Sequence, residues 1–313
     1  RLYNRVPRGN ALNAAVFAYS RTGIQTAKRV SLALHDMDVS LYTLARLEEP
    51  GFLPIEPSVY ALEFSRRDAL IFVGACGIAV AKTGEAEVMA QSGIRNIFIA
   101  NEIVGDLKLR RIAKLAEDGV TISFGVDTPC QVESAERVFA EAGVRVPVLI
   151  EIEVGENRSG IIEEADFLAL LDTIKCCPHV PFGGIFSHDG NSYNTENRET
   201  LEALSEGAQL RTLHFADLAA QHGMPCKTVS YGATPTFMNH VKLLPGITEL
   251  RPGTYALMDA SQGHAIGTLD RCAATVLASV ISKPTATRTI LDVGAKGLTM
   301  QSRTEGICAT PGK

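Results

Sequence analysis

Val146-Pro147-Val148-Leu149-Ile150-Glu151-Ile152-Glu153-Val154 runs straight into Gly155-Glu156-Asn157-Arg158-Ser159-Gly160. The centre of that run is apolar on both faces, as befits a strand with helices on one side and a core on the other. Working outward, strand-length apolar runs recur at 96–100, 121–126, 182–187, 227–230 and 248–250, and upstream at 15–19, 39–43 and 69–73. Amphipathic helical stretches fall between them at 23–35, 84–91, 106–117, 131–141, 163–175 and 199–221. Such alternation predicts a parallel α/β fold, open or closed into a barrel.

After residue 260 the rhythm changes. Residues 272–281 and 289–293 read as strands with no helix between them, which predicts the start of a truncated C-terminal β-domain over 260–313. The chain opens without Met and ends Pro311-Gly312-Lys313, and so reads as a fragment.

With 313 residues, 46% hydrophobic and 21% charged, the chain can bury a large core and is not disordered. A net charge of −5 with no basic block argues against nucleic acid or anionic lipid as partner. The apolar runs are too short to span a bilayer. Seven cysteines, an odd number with no C-x-x-C pair, read as reduced thiols in a cytoplasmic protein. Cys176-Cys177 before Pro178-His179 lacks a second pair at zinc spacing and is a helix end, not a metal knuckle.

From about Gly74 onward the sequence resembles the D-threonine aldolase and D-serine dehydratase family, pyridoxal phosphate (PLP) enzymes of the alanine racemase-like barrel class. The matching phrases, in the family's order, begin with Ala81-Lys82-Thr83-Gly84-Glu85-Ala86-Glu87 and Gly93-Ile94-Arg95-Asn96. They continue with Gly155 to Gly160, Ser187-His188-Asp189-Gly190-Asn191-Ser192-Tyr193, Gly232-Ala233-Thr234-Pro235-Thr236, Arg251-Pro252-Gly253-Thr254-Tyr255 and Leu291 to Lys296. The resemblance implies a PLP-type (β/α)8-like barrel, with strands two to eight in residues 81–259.

Residues 1–80 resemble something else. Phe17-Ala18-Tyr19-Ser20-Arg21-Thr22-Gly23 and Phe72-Val73-Gly74-Ala75-Cys76-Gly77-Ile78-Ala79-Val80 are similar to the N-terminal module of cobalt-precorrin-5A hydrolase of cobalamin biosynthesis. The chain reads as a hybrid, natural or assembled, with its seam at 74–81. A strand at 15–19 or 69–73 would have to fill the first barrel slot, so an atypical first strand is expected.

The resemblance implies roles for particular residues. Arg158, at a strand end where barrels carry their active groups, would contact the PLP phenolic oxygen; the plain alternative is an ordinary carboxylate partner. His188 would lie near the cofactor ring, with Asp189 beside it to orient a ring nitrogen, and Tyr193 would line the site. Gly232, Ala233 and Thr234, with Gly253, Thr254 and Tyr255, would form a phosphate cup after barrel strands seven and eight; the alternative is two Gly/Pro turns. Arg251 would face the pyridine nitrogen or serve in a structural ion pair. The family's PLP lysine sits in a phrase that this chain lacks. Lys82, near the end of strand two, is the catalytic substitute to consider, while Lys28 lies on a predicted solvent-facing helix. A divalent metal, manganese or zinc, is expected for the family, but its ligands lie beyond this chain.

Three functions follow. The first is a PLP-dependent lyase acting on β-hydroxy-D-amino acids, by aldol cleavage or dehydration, which the missing lysine and metal ligands would leave inactive. The second is a non-catalytic PLP-binding remnant. The third is a cobalt-precorrin hydrolase-related protein. The expected partner is a small D-amino acid, with no nucleic acid and no membrane, and a homodimer by analogy of fold.

Overall fold

The computed structural model describes residues 11–14, 32–35, 42–46, 75–254, 259–270, 272, 276–294 and 305–309. Three upstream strands, β1 (Ala11–Ala14), β2 (Leu32–His35) and β3 (Tyr42–Arg46), precede β4 (Ala75–Val80). From there strand and helix alternate: α1 (Thr83–Gln91), β5 (Asn96–Glu102), α2 (Asp106–Glu117), β6 (Thr121–Val126), α3 (Pro129–Ala142) and β7 (Val148–Ile152). They continue through α4 (Glu164–Lys175), β8 (Phe182–Ser187), α5 (Arg198–Gln221), β9 (Thr228–Tyr231), α6 (Thr234–Met238) and β10 (Glu249–Leu250). Helix α7 (Ala260–Ile266) and an antiparallel pair, β11 (Val280–Thr285) and β12 (Arg288–Leu291), follow.

Strands β4 to β10 are parallel and neighbour one another in chain order, which makes an α/β barrel of the expected kind. The barrel closes through β3, antiparallel to both β4 and β10. Seven parallel strands alone would leave two unpaired edges; β3 pairs with both. The two segments expected for that slot, 15–19 and 69–73, lie outside the described residues. Apart from β1 to β3 and residues 75–80, so do the residues that carry the cobalt-precorrin hydrolase resemblance.

Two expectations need correction. The helix expected over 23–35 does not extend through Leu32–His35, which pair antiparallel with Ala11–Ala14 as β2. Leu32 and Leu34 alternate with Ala33 and His35, a period-two pattern that fits a strand. Downstream, helix α7 opens the stretch expected to be all β. Its Asp259 cap accepts the Gln262 N–H at 3.1 Å, and Gly267 ends it in the left-handed conformation at φ +77°.

The core divides by strand face. Val148, Ile150 and Ile152 of β7 point outward into one large cluster with the helices, whereas Leu149 points inward to meet Ala79, Phe98 and Phe186. Phe98 and Phe186 meet edge to face at 5.0 Å inside the barrel. The helices bury one face each: α2 buries Leu109, Ile112, Ala113 and Leu115, at helical spacing. Helix α3 starts with a Thr128–Gln131 capping box around Pro129 and stops at Gly143 at φ +67°.

Side-chain clasps join successive helices on the outside. Arg111 grips Glu87 between α2 and α1, while Arg137–Asp106 and Arg110–Glu141 join α3 to α2. His214–Glu164 and His222–Asp172 do the same between α5 and α4. Each such exposed pair is worth about 0–1 kcal/mol. Cys130, Cys176, Cys177, Cys226 and Cys272 are free thiols. Among the described residues no helix is long and apolar enough to cross a membrane.

Candidate active site

Because β4 to β10 all run the same way, their C-terminal ends share one mouth, where barrels of this class carry their chemistry. The loop after β7 turns back sharply there. Gly155 at φ +111°, Asn157 at φ +56° and Gly160 at φ +101° make the curl, and Ile161 returns to bridge Ile152. A Cβ on Gly160 would lie 2.8 Å from the Glu153 nitrogen, so the return requires glycine. Arg211 of α5 braces the loop by donating to the carbonyls of Glu153 (2.7 Å) and Ile162 (2.6 Å).

This curl sets Arg158 at the mouth. Its guanidinium lies 3.5 Å from Glu151 and 3.4 Å from Glu156, with the side chain 56% exposed. Arg158 thus has carboxylate partners and also stands at a barrel strand end.

His188 directly follows β8. Its Nδ1 faces the carbonyl oxygen of Gly232 at 3.3 Å, which makes it the donor. Burial, with the positive charges of Arg251 and Arg158 nearby, pushes its pKa down to about 4, so the ring is neutral. Asp189, expected to orient a ring nitrogen directly, makes its bonds elsewhere. That carboxylate is fully buried and turns away, accepting the hydroxyls of Tyr231 (2.8 Å) and Thr236.

Three ties gather the loops after β8, β9 and β10. His188 holds Gly232, the Gly253 N–H donates to Thr234 Oγ1 at 3.0 Å, and the Tyr193 and Thr254 hydroxyls meet at 3.2 Å. His188, Tyr193, Gly232, Thr234, Gly253 and Thr254 are therefore assembled at one place, with Ala233 between Gly232 and Thr234 in the chain. Tyr255 lies outside the described residues.

Arg251 enters the barrel from the end of β10. It donates to Ser230 Oγ and to the Ser187 carbonyl at 2.5 Å. Lys82 caps α1 just beyond β4, its side chain 66% exposed and its Nζ 3.9 Å from Glu85. Asn239 is buried and donates to the Pro235 carbonyl at 2.9 Å.

Two groups escaped the sequence reading. Glu151 is buried in the barrel wall, accepting Ser159 Oγ at 2.7 Å. Burial, with Glu151 beside it, pushes the Glu102 carboxyl well above the ordinary range. The signal for Glu151 lay in the alternation of Glu151 and Glu153 with Ile150, Ile152 and Val154, which turns both carboxylates to the barrel side. Among the described residues no cluster of three or more His, Cys, Asp or Glu side chains could hold a metal ion.

Residues 67–261 match the family described as alanine racemase, N-terminal domain. The chain belongs to that family. D-threonine aldolase of Arthrobacter sp is 33% identical over 244 residues, 77% of this chain and 64% of that one. D-threo-3-hydroxyaspartate dehydratase of Delftia sp. is 31% identical over 212 residues, 66% of this chain and 55% of its own. The solved structure of that dehydratase matches at a TM-score of 0.68 with 28% identity, over 75% of this chain and 62% of the other. The crystal structure of D-threonine aldolase from Filomicrobium marinum matches at 0.62 with 28% identity, over 74% of this chain and 63% of the other. The chain spans about three fifths of the length of these relatives.

Proposed function

We propose that the barrel mouth binds PLP and that the chain belongs to a lyase acting on β-hydroxy-D-amino acids. The observation that carries this reading is the joining of the loops after β8, β9 and β10 by His188, Thr234, Tyr193 and their partners. The names of the relatives, aldolases and dehydratases of such substrates, support it.

The donor set suits a planar, anionic cofactor. Arg158 and Arg251 bring positive charge to the mouth, and the neutral His188 ring can lie against an aromatic ring without adding charge. Gly232, at φ +109°, leaves its loop open to close approach. The Thr234 and Thr236 N–H groups, in the first turn of α6, have no intrahelical acceptor; with the loop of Gly253, Thr254 and Tyr255 they would hold the phosphate. Arg158 would hold the phenolic oxygen. When bound, PLP would supply an electron sink for bond breaking at the substrate α-carbon. A divalent metal, manganese or zinc, belongs to the same proposal. So do a cytoplasmic setting and a homodimer.

A second reading, a PLP-binding protein with no covalent link, is favoured by Lys82. The family's PLP lysine has no counterpart phrase, and Lys82 is exposed and beside Glu85. One experiment separates the two: incubate with PLP, reduce with borohydride, and map pyridoxyl-lysine by peptide mass spectrometry. Modified Lys82 supports the lyase; bound PLP with no modified lysine supports the second reading; no binding overturns both. Glycine plus an aldehyde from a D-amino acid panel means aldolase, and a keto acid plus ammonia means dehydratase.

A further inference from the structure

We propose that Asp189 is a positioning residue: its buried carboxylate locks the ends of β8 and β9 and helix α6 together, and so holds His188 and Gly232 in their mutual geometry. This rests on the reading of the mouth as a cofactor site, which gives that geometry its use. The carboxylate meets no solvent. It joins three elements, because Asp189 follows β8, Tyr231 ends β9 and Thr236 lies on α6.

The hydrogen bonds around it run in one direction. The Leu244 N–H donates to Gln209 Oε1 at 2.8 Å, which fixes the amide so that Gln209 Nε2 donates to Ser205 Oγ at 3.2 Å. The Tyr231 hydroxyl has one proton and gives it to Asp189, so at 2.8 Å it must accept from Ser205. Thr236 donates to the same carboxylate oxygen. Both hydroxyls converge on the one oxygen, Oδ2, and such a convergence requires an acceptor at that point. The chain reaches from Gln209 on α5 to the residue beside His188, whose ring holds the carbonyl next to Tyr231. Burial raises the Asp189 carboxyl to about 6, against the pull of Thr236, Tyr231 and the positive charge of Arg251. Removing it would leave the Tyr231 and Thr236 hydroxyls without the oxygen they share.

The test uses the full chain with Asp189→Ala, Thr236→Val and Thr236→Ser. Two readouts are taken: 15N-histidine NMR of His188 across pH without cofactor, and PLP affinity by fluorescence titration. The charges that face His188 are Arg251 after β10, Arg158 after β7 and Glu151 on β7; none is altered by these substitutions. In folded Asp189→Ala and Thr236→Val the His188 resonance moves, its titration climbs from about 4 toward the ordinary imidazole value, and PLP binding weakens about tenfold or more. Thr236→Ser, which keeps the hydroxyl, restores both. An unchanged His188 titration in Thr236→Val overturns the proposal, and this variant decides the matter if Asp189→Ala fails to fold. If PLP does not bind the unaltered chain, the cofactor reading fails while the His188 titration still judges Asp189.

Discussion

The guanidinium of Arg251 lies 5.4 Å from the centre of the Phe186 ring, and the same group donates to the Ser187 carbonyl at 2.5 Å. A buried cation is thus held by a ring face, a backbone oxygen and the Ser230 hydroxyl of β9. Replacing Arg251 with Met leaves the Ser187 carbonyl without that donor and removes the second-largest influence holding His188 neutral. Urea unfolding of Arg251→Met is expected to show a loss of about 2–4 kcal/mol, and histidine NMR a His188 pKa above that of the unaltered chain.

His188 itself gives the acid limb of stability a shape. Its pKa is about 4 in the fold against the ordinary 6.5, so the fold favours the neutral ring. The contribution is fully present above pH 6.5 and is lost as the pH falls toward 4. His188→Gln is expected to flatten this limb, as read from urea midpoints between pH 7 and 4.

Glu102 acts in the opposite sense. Its pKa is raised from 4.5 to about 9, chiefly by burial and then by Glu151, so the fold prefers the protonated acid. Its stabilising share is present below pH 4.5 and drains away as the pH climbs toward 9. Glu102→Gln keeps the neutral shape at every pH. At pH 8.5 it is expected to be the more stable protein by at least about 1.4 kcal/mol, the equivalent of one pKa unit, with the advantage gone near pH 4.

Two glycines should answer alanine in opposite directions. A Cβ on Gly184, at φ +144°, would sit 1.9 Å from the Thr228 carbonyl oxygen, inside the β8–β9 pairing. Gly184→Ala is expected to cost about 3 kcal/mol or more, because only backbone movement relieves the clash. Gly207, within α5, has open space where its Cβ would go. Gly207→Ala should stabilise by about 0.5–1 kcal/mol. Thermal melts of the pair report both signs.

Periodicity made the barrel wall legible. β6 at 121–126, β8 at 182–187 and α2 at 106–117 have the expected bounds, because a run of inward and outward apolar residues, or a 3.6-residue stripe, is a local property. Arg158, His188, Gly232 and Thr254 could be singled out because each lies in a phrase that resembles the family's and just past a strand. What depends on the neighbour across the barrel was hidden. Nothing local marks Tyr42–Arg46 as a reversed strand, since direction is set by the two edges it pairs with. The convergence on Asp189 depends on Tyr231 and Thr236, both more than forty positions away. Helix α7 was missed although Asp259 and Gly267 bracket it, because the strand-like runs that follow dominated the reading.

The outer clasps are of two chemical kinds, divided around the circumference. On the α1–α3 flank they are guanidinium pairs, which keep their charge at any pH a cell meets. On the α4–α5 flank they depend on His214 and His222, whose rings are cationic only when protonated. One side of the outer ring is therefore fastened by permanent charge, and the other by imidazole–carboxylate hydrogen bonds at 2.7 Å. The imidazole side is the one whose helix α5 carries Arg211, so it is this side that props up the Arg158 curl.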